Sequence, residues 1–455
     1  MTKRHRTILF FVFCFLFVLI APPAILYSQG YVFDFEKKRI VQTGALFVET
    51  NIGNVEIYLS GKLKGKTGTV FKNAFKKNLS PKIYQIELRK TGYHSWKKNL
   101  EIKEKLTTEI KNVFLLPENP QKEMVLEKEG QNFFISPNER KIACISLDNK
   151  LELFNLASHN SHSILEATEI DQVLWAIDSK SLFFKARAGK KMSYFVWQED
   201  EQTLINLNKS FKNLNNPLEF KWHPKDSTQI YFLDQEKDIN SLYKIDLLNK
   251  GVLQKILKNI KTYEIFDDGI YWLEEVSGLL FKTDFEGKSR QQLTLSSPQN
   301  YSEKNDYKLF VFYPQISLKD NSDNFYFLDE KAKTFEKIGE NIKEAKLSKD
   351  SKKLLYYGEN EIWVLYLDDI LVQPFRYKGD KELIGRFAAS LDATLWCPDS
   401  EHLLINTRNL IKIIELDGRD VRNTIDFLKG KSPCYKESSG KLYFFDQGKL
   451  WSAKF

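Results

Sequence analysis

The chain has 455 residues, of which 14% are aromatic and 28% charged, and its formal net charge is +8. This length is too great for one ordinary core, so one small and one large domain are expected. Residues 45–116 hold 14 Lys and Arg against 6 Asp and Glu, whereas residues 117–455 hold 48 against 52. A small basic module beside a slightly acidic large one is evidence against nucleic-acid binding.

An uninterrupted apolar run occupies residues 8–26. As a helix it reaches about 28 Å, close to the hydrocarbon thickness of a bilayer. Lys3, Arg4 and Arg6 precede the run, which favours a cytoplasmic N-terminus at residues 1–7 and the rest of the chain outside. The sequence therefore predicts a single-pass membrane protein with a linker at residues 27–44.

A cleaved secretory signal peptide has the same plan of a charged start and an apolar centre. Retention is favoured because the single small-residue site, Ala21-Pro22-Pro23-Ala24, has prolines where a peptidase needs an extended backbone. The prolines are expected to end the helix. Both alternatives stay open at this point.

Residues 45–116 alternate between apolar and polar positions, as in A-L-F-V-E-T, V-E-I-Y-L-S and Y-Q-I-E-L-R-K, which predicts short strands. Turn residues at 60–62 and 64–66 predict that the second strand folds back as a hairpin. The ordered pair V-E-I-Y-L-S-G-K-L-K-G-K-T and K-T-G-Y-H-S-W resembles a PEGA domain. The resemblance implies a small β-sandwich used for attachment or spacing, although Ile52-Gly53-Asn54-Val55 replaces the tetrapeptide that names the family.

Two features of this module are candidate contact sites. The first is a set of lysines that could meet anionic lipid or a cell-wall polymer, namely Lys62, Lys64, Lys66, Lys76 and Lys77. The alternative is that these lysines keep the module soluble and protect its sheet edges. The second is the pair Tyr93 and Trp96, which could stack on a sugar, although packing at a strand end is the favoured interpretation.

Beyond Pro120 the sequence repeats a strand, a polar break and a second strand with a mean spacing of about 43 residues. Eight segments fit, beginning at Ile142, Leu182, Ile230, Ile270, Phe325, Leu354, Leu403 and Leu442. Turns such as W-A-I-D-S-K, W-H-P-K-D-S and W-C-P-D-S-E precede several of them. Four-stranded units at this spacing predict a β-propeller over residues 121–455. The turns resemble the WD40-like repeats of TolB-type propellers.

The spacing between Ile270, Phe325 and Leu354 is irregular, so seven or eight blades are both possible. The chain ends on a strand of the last repeat, and residues 122–127 are expected to supply the outermost strand that this blade lacks. Trp175, Trp222 and Trp396 precede blade turns and are expected to pack between blades rather than to stack on a ligand. The fold class predicted for the whole chain is all-β, with one N-terminal transmembrane helix.

No local motif of an enzyme or metal site is found in the sequence, which lacks G-x-S-x-G, H-E-x-x-H and C-x-x-C. His159 and His162 are interpreted as loop residues rather than a metal pair, and Asp320–Asn324 as a turn rather than a calcium loop. Cys144, Cys397 and Cys434 are expected to be buried, with at most one bridge between the last two. No catalytic, cofactor-binding or metal-binding residue is predicted.

The favoured function is a non-enzymatic envelope or surface protein, anchored in the cell membrane, whose propeller binds a protein or a cell-wall polymer outside the cytoplasm. One alternative is a hydrolase or lyase with carboxylates from several blades gathered at the central channel, since such a site leaves no local motif. The other is a structural spacer in the cell wall. The oligomeric state and ligand do not follow from the sequence.

Overall fold

The computed structural model describes residues 3–34, 38–158, 160–189, 191–211, 214, 217–236, 239–249, 252–312 and 315–454. It begins with helix α1 (Lys3–Ser28). This helix is long and apolar enough to cross a membrane, and a signal sequence would meet the same criteria. His159 lies outside the described residues.

Helix α1 continues through Pro22 and Pro23, so the expectation that the prolines end it is wrong. Each proline removes one backbone donor, but the bonds beyond them are kept, and the N–H of Gln29 donates to the carbonyl of Ile25 at 3.0 Å. The helix instead ends at Ser28, two residues before Gly30, which has φ +83° and donates its N–H to the carbonyl of Tyr27 at 3.0 Å. A glycine in the left-handed region is a common helix terminator.

A short hairpin and a sandwich of two sheets follow α1. The hairpin pairs β1 (Tyr31–Asp34) with β2 (Arg39–Gln42). The strands of the sandwich are β3 (Gly44–Thr50), β4 (Glu56–Leu59), β5 (Lys62–Lys66), β6 (Asn73–Leu79), β7 (Lys82–Arg89), β8 (Trp96–Ile102) and β9 (Thr107–Val113). One sheet has the order β6-β3-β9 and the other β5-β4-β7-β8.

The two sheets of the sandwich share one apolar core, to which Leu46 and Val48 of β3 contribute from one side and Ile57 and Ile86 from the other. The hairpin predicted at residues 60–62 is present, because β4 pairs with β5 across Ser60 and Gly61, both at positive φ. The second predicted turn is wrong, since residues 64–66 continue β5.

The remaining strands form a propeller. They are β10 (Lys122–Leu126), β11 (Gly130–Ile135), β12 (Lys141–Ser146), β13 (Lys150–Asn155), β14 (Ser161–Glu166), β15 (Glu169–Trp175), β16 (Ser181–Ala188), β17 (Lys191–Gln198), β18 (Thr203–Asn206), β19 (Leu218–Trp222), β20 (Gln229–Glu236), β21 (Ile239–Asp246), β22 (Leu253–Lys258), β23 (Ile260–Phe266), β24 (Gly269–Glu274), β25 (Leu280–Thr283) and β26 (Gln291–Gln292). A four-residue helix, α2 (Leu207–Ser210), follows β18.

The second half of the propeller continues in the same order. Its strands are β27 (Tyr307–Phe312), β28 (Gln315–Asp320), β29 (Phe325–Asp329), β30 (Thr334–Gly339), β31 (Glu344–Leu347), β32 (Lys353–Tyr357), β33 (Glu361–Tyr366), β34 (Lys381–Arg386), β35 (Ala393–Trp396), β36 (His402–Thr407), β37 (Leu410–Glu415), β38 (Thr424–Lys429), β39 (Lys431–Lys436), β40 (Lys441–Asp446) and β41 (Lys449–Lys454).

Over the described residues these strands make eight four-stranded sheets, numbered blades 1 to 8 from β11 onward. Blade 8 has the order β10-β41-β40-β39, so the N-terminal strand β10 completes it, as the sequence predicts. A separate apolar cluster joins each neighbouring pair of blades, including blade 8 to blade 1 through Tyr443 and Ile142. The ring is therefore closed, and the predicted all-β class is confirmed.

The irregular repeat spacing has a simple cause in blade 5. Seven of the eight segment starts lie in the second strand of a blade, but Phe325 begins the third strand, β29. The second strand is β28, and from Ile270 through Ile316 to Leu354 the spacing becomes more even. The sequence F-Y-F-L-D of β29 is similar to that of second strands in other blades. For this reason the sequence left seven blades possible.

Neighbouring blades are also linked by the predicted turns and tryptophans. Indole N–H groups donate to carbonyls of the preceding blade, Trp175 to Phe134 at 2.9 Å, Trp222 to Leu174 at 3.0 Å and Trp396 to Lys346 at 2.9 Å. In the turns, Ser179 and Ser400 accept backbone N–H groups from the preceding blade. The prediction that these tryptophans pack between blades is confirmed.

All four cysteines are free. Cys144 lies in the cluster that joins blades 8 and 1, and Cys397 in the one that joins blades 7 and 8. Burial raises the pKa of the Cys144 thiol to about 12. The bridge that the sequence permitted between Cys397 and Cys434 is not formed. Cys397 is a small apolar core group, whereas Cys434, which was expected to be buried, is only partly buried against the cluster that joins blades 8 and 1.

The sandwich packs directly against blades 6 and 7. Lys98 of β8 is fully buried and pairs with Glu415 of β37 at 2.8 Å. Its ammonium also donates to three carbonyls of the loop after β37, those of Asp417, Arg419 and Val421. Trp96 donates its indole N–H to the other oxygen of Glu415 at 2.7 Å. The division of the chain at residues 116 and 121 stays a prediction.

Candidate functional site

The first strands of blades 2 to 5 meet around a cavity of about 760 Å³. Strands β15, β19, β23 and β27 each contribute to it, which places it at the central channel of the ring. Its lining consists of Gln172, Leu174, Trp175, Glu219, Phe220, Lys221, Trp222, Glu264, Ile265, Asp306, Tyr307, Lys308, Lys319, Asp320, Asn321 and Asp323.

Irregularities in the first strands position two of these side chains. The pairing of β15 shifts register between Asp171 and Leu174, and that of β19 between Leu218 and Lys221. Within these bulges Gln172 has φ +46° and Glu219 has φ +51°, both in the left-handed region. A bulge re-aims a side chain relative to the regular alternation of a strand, so these residues are turned toward the channel.

A network of polar contacts joins blades 3 and 4 at the cavity wall. The Lys221 ammonium lies 3.0 Å from the Glu264 carboxylate and 4.7 Å from the centre of the Tyr263 ring. The Tyr263 hydroxyl donates to the backbone carbonyl of Glu219. Lys221 donates in turn to the carbonyl of Tyr263 at 2.5 Å. These contacts link the first strands of blades 3 and 4.

Glu219 differs electrostatically from the other carboxylates of the cavity. Burial raises its pKa, an effect that Lys221 opposes and the Glu264 carboxylate reinforces. In the neighbouring blade, burial lowers the pKa of the Lys185 ammonium, which lies 6.0 Å from the Phe220 ring centre. A carboxyl that resists ionisation and a cavity wall with neighbouring carboxylates are features of both ligand sites and catalytic sites.

On the opposite side, the residues interpreted from sequence as a turn form one between β28 and β29. Asp320 accepts the backbone N–H groups of Ser322 and Asn324, both at 2.9 Å. Asp323 pairs with Lys319 at 2.7 Å. The carboxylates of Asp320 and Asp323 are therefore engaged within the protein, and the predicted turn is confirmed.

The lining as a whole contains five carboxylates against three lysines above a floor of aromatic and aliphatic side chains. The lining therefore combines apolar area with a formal excess of two carboxylates over lysines. Within the described ranges, no group of three or more His, Cys, Asp or Glu side chains is placed to hold a metal ion.

The lysines predicted from sequence lie on the edge strands of the sandwich. Lys62, Lys64 and Lys66 are on β5, and Lys76 and Lys77 on β6 of the other sheet. The two edges lie close together. A Cβ atom at Gly65 would be 2.5 Å from the Lys76 ammonium. Lys66 pairs with Glu56 at 3.0 Å. Their contact with an anionic surface stays a prediction.

The aromatic pair of this module has a packing role. Trp96 is 4% exposed in the sandwich core, and Tyr93 packs against the same core. The packing interpretation is therefore confirmed, and the sugar-stacking hypothesis is not supported for Trp96. The ring centre of His162 lies 5.2 Å from that of Trp197.

The channel residues were not identified from sequence. A signal was present, since the first strands place charged residues shortly before the turn, as in E-F-K-W-H-P and E-I-F-D-D-G. Lys98 was missed although the alternation of β8 places it on the buried face with Trp96 and Leu100, opposite Lys97.

No protein-family model matches the sequence, and no curated protein matches it. Among solved structures, the Dos1 propeller aligns with a TM-score of 0.50 and 13% identity over 74% of this chain and 94% of that one. The C-terminal WD40 domain of Sif2 gives 0.47 and 11% over 73% and 98%. An oligogalacturonate lyase in complex with manganese gives 0.41 and 10% over 74% and 98%. At such identities the similarity shows a WD40-like β-propeller fold alone.

Proposed function

We propose that this protein is a membrane-anchored binding scaffold whose propeller channel receives a protein segment that carries a positive charge. The observation that supports it best is the channel cavity, which combines an apolar floor with an excess of carboxylates on a rigid ring. Binding sites of this kind are concave and largely pre-formed. The closed ring and its interblade hydrogen bonds supply that rigidity.

The scaffold is proposed to face the extracellular or periplasmic side, with α1 retained as the anchor and residues 1–7 in the cytoplasm. Positive charge before the apolar run of α1 supports this orientation. The PEGA-like character of residues 45–116 and the TolB-like character of residues 121–455 belong to the same proposal. The edge lysines Lys62, Lys64, Lys66, Lys76 and Lys77 then form a second contact, to anionic lipid or cell-wall polymer.

Photo-crosslinking in intact cells tests the channel proposal. Benzoylphenylalanine in place of Asp306, whose side chain is 92% exposed at the cavity, should capture a discrete protein. The same group in place of Val252, 65% exposed outside the cavity, is the matched control. Glu264→Gln keeps the shape of the wall, removes one charge and should reduce capture at position 306.

Equal capture at both positions would refute binding in the channel. Capture of cytoplasmic proteins alone would overturn the proposed topology. If Glu264→Gln leaves capture unchanged, the proposal that the ligand carries a positive charge is contradicted.

A second candidate is a hydrolase or lyase that uses channel carboxylates. The observation that favours it is the raised pKa of Glu219 beside Glu264, which belongs to a different blade. A general acid requires a carboxyl that stays protonated near its working pH. Turnover of a defined substrate by the purified full chain, lost in Glu219→Gln with folding intact, would establish this function in place of the scaffold.

A further inference from the structure

The end of α1 is joined directly to the sandwich by hydrogen bonds. The carbonyl of Gly30 accepts the backbone N–H of Thr43 at 2.8 Å and its hydroxyl at 2.7 Å. The carbonyl of Thr43 accepts the N–H of Lys105 at 3.0 Å, and that of Leu106 accepts the N–H of Ala45. The turn between β8 and β9, residues 103–106, is therefore tied to the helix end.

The short connection limits how far this turn can lie from a bilayer that holds α1. Helical hydrogen bonds continue to Gly30, so at about 1.5 Å per residue Gly30 lies about 6 Å beyond Leu26. The apolar run ends at Leu26, and the headgroup layer outside the hydrocarbon core is roughly 5–8 Å thick. This step rests on the proposed function, in which α1 is retained in the membrane. The turn then lies at the level of the lipid headgroups.

The propeller reaches the same level through a loop of blade 6. Between β33 and β34, Gln373 donates its side-chain amide to the carbonyl of Thr107 at 3.0 Å and accepts the N–H of Glu109 at 3.2 Å. Phe375 of this loop and Leu106 line one cavity of about 470 Å³. Both side chains remain more than half exposed, Phe375 at 56% and Leu106 at 57%.

We propose that Lys103, Lys105, Leu106 and Phe375, here named the juxtamembrane surface, rest in the phospholipid headgroup layer beside α1. The two lysines would contact phosphate groups, and the two apolar side chains would enter the layer below them, as amphipathic surfaces do at bilayers. Exposed apolar groups beside basic ones fit a lipid surface. The propeller is thus held on the membrane by its sixth blade, not raised on a mobile stalk.

The test uses the full chain in lipid nanodiscs whose headgroups carry a nitroxide quencher. A fluorophore is attached through Leu106→Cys or Phe375→Cys after Cys14→Ser and Cys434→Ser, since the other two thiols are buried. The matched control is Phe71→Cys, which is 81% exposed near the far end of β3, where Lys72 accepts an N–H from Thr50. Labels at 106 and 375 should be quenched at least about threefold more than at 71, because β3 separates the sites by roughly 20 Å.

Quenching at 106 and 375 no greater than at 71 would overturn the proposal. Failure of the anchor itself is recognised separately by labelling the native Cys14 in the middle of α1 and using lipids with the nitroxide in the acyl chain. Quenching at Cys14 without quenching at 106 and 375 contradicts only the juxtamembrane surface. Absence of quenching at Cys14 contradicts the proposed anchor as well.

Discussion

Replacing Lys98 with methionine should loosen the contact between the sandwich and the propeller. The Lys98 side chain is fully buried, and Glu415 is only 6% exposed, so the change leaves a buried carboxylate without its counter-charge. Removing one partner of a buried ion pair costs about 3–5 kcal/mol. The loss falls in that range because the three carbonyls after β37 also lose their donor, while Trp96 continues to donate to Glu415.

Urea unfolding of the detergent-solubilised chain measures this loss, with proteolytic cleavage of the sandwich as the readout of unfolding. With a slope of about 2 kcal/mol per molar urea, a loss of about 4 kcal/mol lowers the midpoint by about 2 M. Lys97→Met, on the exposed neighbouring position, is the control and should change the unfolding free energy by no more than about 0.5 kcal/mol. Lys98→Met together with Glu415→Gln should recover much of the loss. A Lys98→Met midpoint equal to that of Lys97→Met would refute the reasoning.

Two further predictions concern the ring. Trp222→Phe removes the indole donor to Leu174 and should lower the unfolding free energy by about 1–3 kcal/mol, measured by thermal unfolding, with no change expected if the bond carries no stability. Burial opposes the charge on His402, but the Asp399 carboxylate, 2.7 Å away, and two further glutamates raise its pKa overall. The stabilisation that protonated His402 gives the folded state is therefore complete below about pH 6.5, and it is lost as pH rises through the raised pKa. His402→Gln should flatten this pH dependence, and an unchanged slope would contradict the assignment.

Much of the propeller was predictable because its signals are local. The Asx turns are one example, since Asp178 accepts the N–H groups of Lys180 and Ser181 two and three positions ahead. The position of a strand within its blade was harder to predict, because β29 and the second strands are all short, buried apolar runs that periodicity does not separate. The continuation of α1 through Pro22 was also missed, since a proline interrupts the ladder without preventing the bonds that follow.

The candidate sites were the least predictable part. The channel wall joins bulged first strands of different blades. The bulge at Glu219 depends on the pairing of β19 with β20 rather than on the local sequence of β19. The buried contact of Trp96 with Glu415 joins residues 319 positions apart. The surface lysines were easy to propose because the basic composition of residues 45–116 suggested them. Composition alone does not show what such a surface contacts, so it did not indicate a function.

By itself the sequence determined the apolar helix, the all-β character and the closing strand β10, because alternation, turn residues and apolar length are set by neighbours along the chain. Only the tertiary structure decided that there are eight blades, that Lys98 is buried and that the turn at residues 103–106 lies beside the end of α1. These depend on which distant segments pack together, and their burial and electrostatics arise only when those segments have met.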